Sequence, residues 1–311
     1  MVDLLHTLSG KPASSFAFGT MQFGVGTSEE ASRGIYEASR GAGLNVFDTA
    51  YGYTDGLSEQ ILGRLIAKER DDILLMTKCA HPAPSTAQNL TSQFDESRRR
   101  LNQDMVDVLF LHRWDDGTPL EESFETLAGF RDAGQIRAIG VSNFSAWQVM
   151  KAQKVAQSFG LSIDVIQPMY NLVKRQVEVE ILPMAADQNI AVTPYSPLGG
   201  GLLTGKYKGQ AEGRLVADQA YAKRYSEDWA YQTAEHLTDL AASHGQHPAT
   251  LAVAWVARNP DITSTLISGK SLEQLQPSLD ATQFSLSDDL FQQMSDLSRT
   301  PPPATDRLEE A

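Results

Sequence analysis

The sequence has little of what marks secreted, membrane or nucleic-acid-binding chains. Its one cysteine, Cys79, cannot form an internal disulfide, which favours a reducing compartment. No basic segment followed by an apolar run stands at the N-terminus, and no stretch approaches the roughly 18 apolar residues that span a bilayer. Lys and Arg total 26 against 39 Asp and Glu, with no basic run. We therefore expect a cytoplasmic protein with no nucleic-acid partner and no membrane partner.

What the sequence does contain is a repeated unit. Short runs rich in Val, Ile, Leu and Phe occur at 16–18, 44–47, 73–76, 106–111, 136–141, 163–167, 190–195 and 263–268. Near-continuous apolarity over such lengths is typical of parallel strands buried on both faces. Helical patterns separate the runs, and a strand plus a helix in about 30 residues is the βαβ unit. Eight strands predict an α/β fold, a closed (β/α)8 TIM barrel at about 14–282 within one domain over 1–311.

The interval between the last two runs is long enough to hold additional structure. Residues 199–225 are predicted to form a long glycine-containing loop, of a length that often serves as a lid. Extra helices are predicted at about 226–244, 248–258 and 286–298, and the proline-rich end makes 283–311 a C-terminal helix and tail. Capping boxes predict three helix starts, at Thr27 with Glu30, Thr118 with Glu121 and Ser145 with Gln148.

Ionisable side chains follow three consecutive predicted strands. Asp48 ends the second, Lys78 the third and His112 the fourth. Because reactive groups in such barrels lie at the carboxyl ends of the strands, these three are expected to converge at one side of the mouth. Two tyrosines, Tyr51 and Tyr53, follow Asp48. A nearby Lys78 ammonium would lower the pKa of a tyrosine and let it donate a proton near neutral pH.

Three chemistries fit these residues. A metal site would draw on Asp48, His112 and His81, but the Lys78 ammonium among them is unfavourable, so we expect no metal. Lys78 could instead form a Schiff base, as in a barrel aldolase, although such a lysine prefers a site without a carboxylate partner. The third chemistry is general acid catalysis by a tyrosine. Spacing alone does not choose between the two tyrosines.

A series of strand-end motifs resembles those of the aldo-keto reductases, which are NAD(P)H-dependent (β/α)8 enzymes. The resemblance runs from FAFGTMQFG (16–24) to QLQPSLDA (274–281). It rests on DTAYGYTDGLSEQILG, the T-K of MTKCAH, the histidine of VDVLFLHRWD, G-V-S-N, QPMYN and YSPLGGG. It implies that an aldehyde or ketone, sugar-derived ones included, is reduced to the alcohol. The family's tyrosine follows the aspartate by five positions, which selects Tyr53.

The resemblance implies a catalytic tetrad in which Tyr53 is the general acid, Lys78 held by Asp48 lowers its pKa, and a neutral His112 orients the carbonyl. The small carbonyl substrate would lie in a pocket lined by Gln22, Tyr53, His112 and Trp114. Cofactor contacts are implied for the nicotinamide at Ser142, Asn143, Gln167 and Tyr195, for the pyrophosphate along 196–206, and for the adenosine after the eighth strand. The whole implied cofactor set is Gly19, Thr20, Met21, Asp48, Ser142, Asn143, Gln167, Tyr195, Ser196, Pro197, Leu198, Gly200, Lys206, Gly269, Lys270, Ser271, Gln274 and Ser278.

The sequence departs from the family pattern at the adenosine end. The arginine that often pairs with a 2′-phosphate is absent, and Lys270 with Ser271 is the nearest replacement, so NADPH is favoured over NADH. Pro277-Ser278 stands where Glu-Asn is common, which is expected to weaken adenine contacts. Two alternatives stay open. Some members of the family are cofactor-binding regulatory subunits with little turnover, and the Schiff-base aldolase using Lys78 is the other.

Overall fold

Eight parallel strands form the centre of the computed structural model, which describes residues 5–207, 213–307 and 309. The strands are β1 Phe16–Gly19, β2 Val46–Asp48, β3 Leu74–Cys79, β4 Val106–Leu111, β5 Ile136–Ser142, β6 Val165–Gln167, β7 Ala191–Val192 and β8 Thr265–Ile267. They pair in the order β7-β6-β5-β4-β3-β2-β1-β8. Backbone hydrogen bonds join the two edges, from Thr263 N to Val192 O at 2.9 Å and from Leu266 N to Pro194 O at 3.0 Å. The predicted (β/α)8 barrel is confirmed.

Helices surround the strands and alternate with them along the chain. They are α1 Glu29–Gly41, α2 Leu57–Ile66, α3 Ala87–Leu101, α4 Leu120–Asp132, α5 Ala146–Ser158, α6 Ile181–Asp187, α7 Arg214–Ala217, α8 Gln219–Arg224, α9 Asp228–Ser243, α10 Pro248–Arg258, α11 Leu272–Asp280 and α12 Asp288–Asp296. The three extra helices predicted at 226–244, 248–258 and 286–298 correspond to α9, α10 and α12. The long loop after β7 holds a 3-10 turn, Gly199–Thr204, and the short α7 and α8.

Parts of three predictions lie outside the described residues. The predicted domain over 1–311 includes all the residues that are not described, which are 1–4, 208–212, 308 and 310–311. Of these, 208–212 belong to the predicted loop 199–225, and 308 and 310–311 belong to the predicted tail.

The barrel interior is filled by one side of the strands, and one end is closed. Inward side chains such as Met76, Val108 and Phe110 form a buried cluster that Leu5 joins. Leu5 belongs to an N-terminal hairpin, in which Ala13 N donates to its carbonyl at 2.8 Å. The opposite end, where the strands finish, therefore carries the mouth and the polar strand-end residues.

One of the three predicted capping boxes is present. Gln148 Oε1 accepts from Ser145 N at 2.8 Å at the start of α5. The other two are wrong. Ser28, not Thr27, caps α1, because Thr27 is buried and donates to the Lys270 carbonyl at 3.2 Å. Thr118 Oγ1 donates to a carboxylate in its own loop instead of capping α4.

Helices α2 and α3 approach so closely that only glycine fits at Gly63. A Cβ there would lie 2.3 Å from the carbonyl oxygen of Leu101, a backbone atom that cannot rotate away. We predict that Gly63→Ala lowers the free energy of unfolding by about 2 to 3 kcal/mol through overpacking. Gly129→Ala on α4, where a Cβ meets nothing within 4 Å, should raise it by about 0.5 to 1 kcal/mol. Urea unfolding of both variants checks this, and equal effects would contradict the close approach.

Candidate active site

A buried ion pair lies at the centre of the rim. Asp48 ends β2 and Lys78 lies on β3, and each is 1% exposed. Lys78 Nζ lies 2.5 Å from Asp48 Oδ2 and donates to Thr49 O at 2.9 Å. Burial acts to lower the pKa of Lys78, but the charge of Asp48 outweighs it and the pKa is raised. Gln167 Nε2 donates to the other Asp48 oxygen at 3.0 Å. Lys78 is therefore a charged ammonium held at a fixed position.

Of the two tyrosines after β2, the structure brings Tyr53 to this pair. The Tyr53 hydroxyl lies 3.4 Å from Lys78 Nζ, and that ammonium is 5.0 Å from the ring centroid. The Tyr51 ring lies against the guanidinium of Arg100 instead, 4.6 Å from ring centroid to Cζ. Tyr51 is thus part of the packing that supports the turn, while Tyr53 faces the ion pair.

The turn that carries Tyr53 is held in an unusual backbone conformation. Thr54 and Asp55 have φ of 49° and 53°, which is rare for a β-branched residue such as Thr54. Its hydroxyl offsets this cost, because it donates to Phe23 O at 2.8 Å and accepts from Ser58 N at 2.9 Å. A Cβ on Gly56 would lie 2.4 Å from Arg100 Cζ. The hydroxyl and the glycine together fix the direction of Tyr53.

The pKa of Tyr53 is raised, whereas the sequence analysis expected Lys78 to lower it. Burial raises it, and the opposing charge of Lys78 does not overcome the burial. The lysine contribution has the predicted sign, but the desolvation of the hydroxyl could not be read from the sequence. The raised pKa means that Tyr53 keeps its proton at neutral pH.

His112 directly follows β4 and lies beside Tyr53. Its ring centroid lies 5.7 Å from that of Tyr53 and 5.4 Å from that of His81, with edge-on geometry in both pairs. Burial, followed by the charge of Lys78, lowers the pKa of His112 to about 3. Its Nδ1 is buried and has no hydrogen-bond partner among the described residues. His112 is therefore a neutral imidazole at physiological pH.

The low pKa of His112 makes the stability depend on pH. In the unfolded chain the histidine gains a proton as the pH falls through its ordinary value of 6.5, whereas the folded chain stays neutral down to about 3. The unfolded state then binds more protons, so stability falls with pH across this window. We predict that His112→Asn reduces the loss of unfolding free energy between pH 7 and pH 5 by about 1 to 2 kcal/mol. Urea unfolding at both pH values measures it. An equal reduction in His244→Asn, at an exposed position, would contradict the explanation.

The residues implied for the nicotinamide form one connected group on β5, β6 and β7. Asn143 Nδ2 donates to Ser142 Oγ and to the His112 carbonyl, both at 3.0 Å. Tyr195 Oη donates to Asn143 Oδ1 at 2.7 Å, and Ser142 Oγ donates to the Gln167 carbonyl at 2.9 Å. The Gln167 side chain connects this group to the tetrad, because its amide nitrogen donates to Asp48 Oδ1 at 3.0 Å.

A glycine turn follows β7 beyond Ser196, Pro197 and Leu198. Gly199, Gly200 and Gly201 have φ of 58°, 68° and 95°. A Cβ on Gly201 would lie 2.8 Å from Lys206 Nζ. Bare backbone therefore lies directly against an ammonium group, and this combination suits an anionic diphosphate.

At the adenosine end, part of the implied set serves the protein itself. Gln274 N donates to Ser271 Oγ at 3.2 Å and Gln274 Oε1 accepts from Lys270 N at 3.3 Å, so Gln274 belongs to the start of α11. Gly269 packs against Leu275, to which an added Cβ would lie 3.1 Å away. Ser278 is fully buried, and its hydroxyl has no hydrogen-bond partner in the described parts of the chain. Ser278 is thus enclosed by the protein in this structure, and its contact with the cofactor stays a prediction.

Of the cofactor contacts implied at the end of β1, two are buried in the protein and one is partly exposed. Thr20 is buried, with its N donating to Asp48 O at 2.8 Å and its hydroxyl 2.7 Å from Ser58 Oγ. Gly19 is also buried, and its carbonyl accepts from Ser268 Oγ at 2.8 Å. Ser268, the residue after β8, therefore links that strand to the end of β1. Met21 is half-buried and lies nearer the rim surface.

Comparison with known proteins decides the family. A model of the Aldo/keto reductase family matches residues 15–299. The chain belongs to this family. The "Uncharacterized oxidoreductase YrpG" of Bacillus subtilis (strain 168) is 32% identical over 310 residues, covering 93% of both chains. A "Probable voltage-gated potassium channel subunit beta" of Arabidopsis thaliana is 32% identical over 293 residues, 88% of both. "Aflatoxin B1 aldehyde reductase member 2" of Rattus norvegicus is 30% identical over 304 residues, 89% of this chain and 83% of the relative.

Aromatic rings pack together beyond the end of β4, where the sequence analysis expected one side of the substrate pocket. Trp114 packs edge-on against Phe144 and Trp147, at centroid distances of 5.2 and 5.6 Å. Its indole nitrogen donates to Asp116 Oδ1 at 2.6 Å. These contacts hold the Trp114 ring in place, and Gln22, the other residue expected at the pocket, is half-buried.

The loop after β7 supplies residues that the sequence did not single out. Tyr221 lies between two guanidinium groups, 4.3 Å from Arg214 Cζ and 4.6 Å from Arg224 Cζ. Arg214 Nη2 lies 3.8 Å from Met21 Sδ, so the loop reaches the end of β1. The length of the loop was the only feature of the sequence that pointed to a role for these residues. Elsewhere in the described chain, no three His, Cys, Asp or Glu side chains are grouped to hold a metal ion, and no helix has the length and apolarity to cross a bilayer.

Proposed function

We propose that this protein reduces an aldehyde or ketone to the alcohol with NADPH, and that Tyr53 is the general acid. One observation carries the proposal. The protonated Tyr53 hydroxyl lies against the buried Lys78–Asp48 pair and beside a neutral His112. Membership of the Aldo/keto reductase family and the likeness to an aflatoxin B1 aldehyde reductase support the same reaction class.

Each tetrad residue has a distinct task. Tyr53 is protonated at neutral pH, since burial keeps its pKa above the ordinary value near 10, and it can give that proton to a carbonyl oxygen. Lys78 then stabilises the phenolate that remains, since its ammonium is 3.4 Å from the oxygen. His112, with a pKa of about 3, can donate a hydrogen bond to the carbonyl without competing as an acid. Asp48 keeps Lys78 charged and in place.

The rim offers a set of residues that fits a nicotinamide dinucleotide. Ser142, Asn143 and Tyr195 would hold the nicotinamide, and Lys206 with the glycine turn would face the diphosphate. Lys270 is exposed and has no carboxylate partner among the described residues, which supports NADPH because of its additional phosphate. When bound, the reduced cofactor supplies the hydride for the carbonyl carbon.

A regulatory subunit is the second candidate, favoured by the likeness to a probable channel beta subunit. Such a protein would bind the cofactor with little turnover. The assembled tetrad favours the enzyme. The aldolase is disfavoured, because Lys78 is paired with Asp48 and its raised pKa keeps it from acting as a neutral amine.

An assay of the purified protein with NADPH and NADH separates these candidates. We expect NADPH oxidation that requires a carbonyl, measured across an aldehyde, ketone and sugar panel. Cofactor binding by fluorescence, without turnover of any member, would support the regulatory role. Trapping of a substrate on Lys78 by borohydride would support the aldolase.

A further inference from the structure

Arg113 is an exposed arginine that follows β4 at the end of the barrel where the tetrad lies. It follows His112 directly, is exposed, and makes no hydrogen bond or ion pair within the part of the chain that the structure describes. Most arginines of this acidic chain are paired with carboxylates, as Arg64 is with Glu29 at 2.9 Å. An unpaired guanidinium beside the tetrad therefore needs an explanation.

The acidic residues that follow Arg113 are engaged elsewhere. Asp115 accepts from Ser85 N at 2.9 Å and from Thr118 Oγ1 at 2.6 Å. Asp116 accepts from the Trp114 indole at 2.6 Å. Two carboxylates thus lie within three positions of Arg113 and neither neutralises it.

The charge of Arg113 acts on the groups that line the mouth. Burial, and then Arg113, lowers the pKa of His81, which packs on His112 at a centroid distance of 5.4 Å. After burial, Lys78 and His81, the same charge contributes to the low pKa of His112. The positive charge of Arg113 therefore acts on both imidazoles at the mouth.

Arg113 is also separate from the cations proposed for the cofactor. Lys206 and Lys270 follow β7 and β8, whereas Arg113 follows β4, three strands from β7 in the sheet. In the proposed binding of the cofactor, Lys206 and Lys270 face its diphosphate and its 2′-phosphate. A positive group remains on the side where Trp114 lies.

We propose that the substrate is an aldehyde carrying an anionic group, a carboxylate or a phosphate, which Arg113 binds while the carbonyl oxygen lies at Tyr53 and His112. This inference rests on the proposed reductase function. A guanidinium binds either anion in bidentate fashion, and Arg113 directly follows His112, the residue proposed to hold the carbonyl oxygen.

Two matched substrate pairs test the inference. They are glyceraldehyde with glyceraldehyde 3-phosphate, and benzaldehyde with 4-carboxybenzaldehyde. In the wild type, kcat/KM should favour the charged member of at least one pair by about 10-fold or more, and the pair that responds distinguishes phosphate from carboxylate. Arg113→Gln should lower this charged-to-neutral ratio by about 30-fold, mainly through KM, because a charge-assisted contact to bound substrate is lost.

Two further variants test whether the effect is specific to the guanidinium of Arg113. Arg113→Lys should recover part of the ratio, since the charge stays and the bidentate geometry goes. Arg299→Gln removes an exposed arginine that lies over Trp229 and should leave the ratio within about 2-fold. Equal turnover of both members, with a ratio unmoved by Arg113→Gln, would overturn the inference and leave the reductase proposal intact. No turnover of these four aldehydes, together with none across the aldehyde, ketone and sugar panel, would overturn both.

Discussion

Replacing Tyr53 by phenylalanine is expected to lower kcat by about 1,000-fold, because positioned general acids contribute on the order of 100- to 10,000-fold. The variant keeps the ring beside His112 and loses only the hydroxyl that lies 3.4 Å from Lys78 Nζ. Cofactor affinity, measured by fluorescence titration, should change less than about 3-fold, since Tyr53 is not among the residues implied for the cofactor. Steady-state kinetics with the best carbonyl of the panel provides kcat.

Tyr51→Phe is the matched control for this variant. It removes the same hydroxyl from a tyrosine two positions before Tyr53, whose ring packs on Arg100. We expect kcat to stay within about 3-fold of the wild type. A large loss in Tyr51→Phe together with an active Tyr53→Phe would show that the other tyrosine is the acid.

Asp48→Asn is expected to have the largest effect on stability. It removes the negative partner of an ammonium that is 1% exposed and leaves Lys78 charged in the barrel interior. Breaking one side of a buried ion pair costs about 3 to 5 kcal/mol of unfolding free energy, and the same should hold here. Turnover should fall as well, because Lys78 no longer has a fixed position under Tyr53.

The double variant Asp48→Asn with Lys78→Met separates the charge from the packing. It removes both charges while keeping side chains of similar volume, so it should be more stable than the sum of the two single changes implies. Urea unfolding of the four proteins gives the coupling energy. Additive losses would show that the pair does not interact in the folded protein.

The sequence predicted the strands well because their signal is local. Near-continuous apolarity located β4 to the residue, and it overlapped every other strand. β7 is shorter than the predicted run 190–195, being only Ala191–Val192. Beyond it Pro194 has no N–H to donate, and its carbonyl accepts from Leu266 at the seam that closes the barrel.

Features that depend on tertiary contacts were not readable. Thr27 and Ser28 are equally good caps in the sequence, and only the contact of Thr27 with Lys270 decides between them. Ser278 is polar and stands at a position of the family pattern, yet the packing of α11 buries it. The isolation of Arg113 also appears only once Asp115 and Asp116 are seen to bond elsewhere.

The most direct test of the reductase proposal is the transfer of deuterium from C4-labelled NADPH to the product. We predict that the alcohol formed from an accepted aldehyde carries deuterium on its carbinol carbon, as read by mass spectrometry, and that Tyr53→Phe forms almost none. An alcohol without the label, or a labelled cofactor left unchanged while the carbonyl compound is consumed, would contradict hydride transfer at this site.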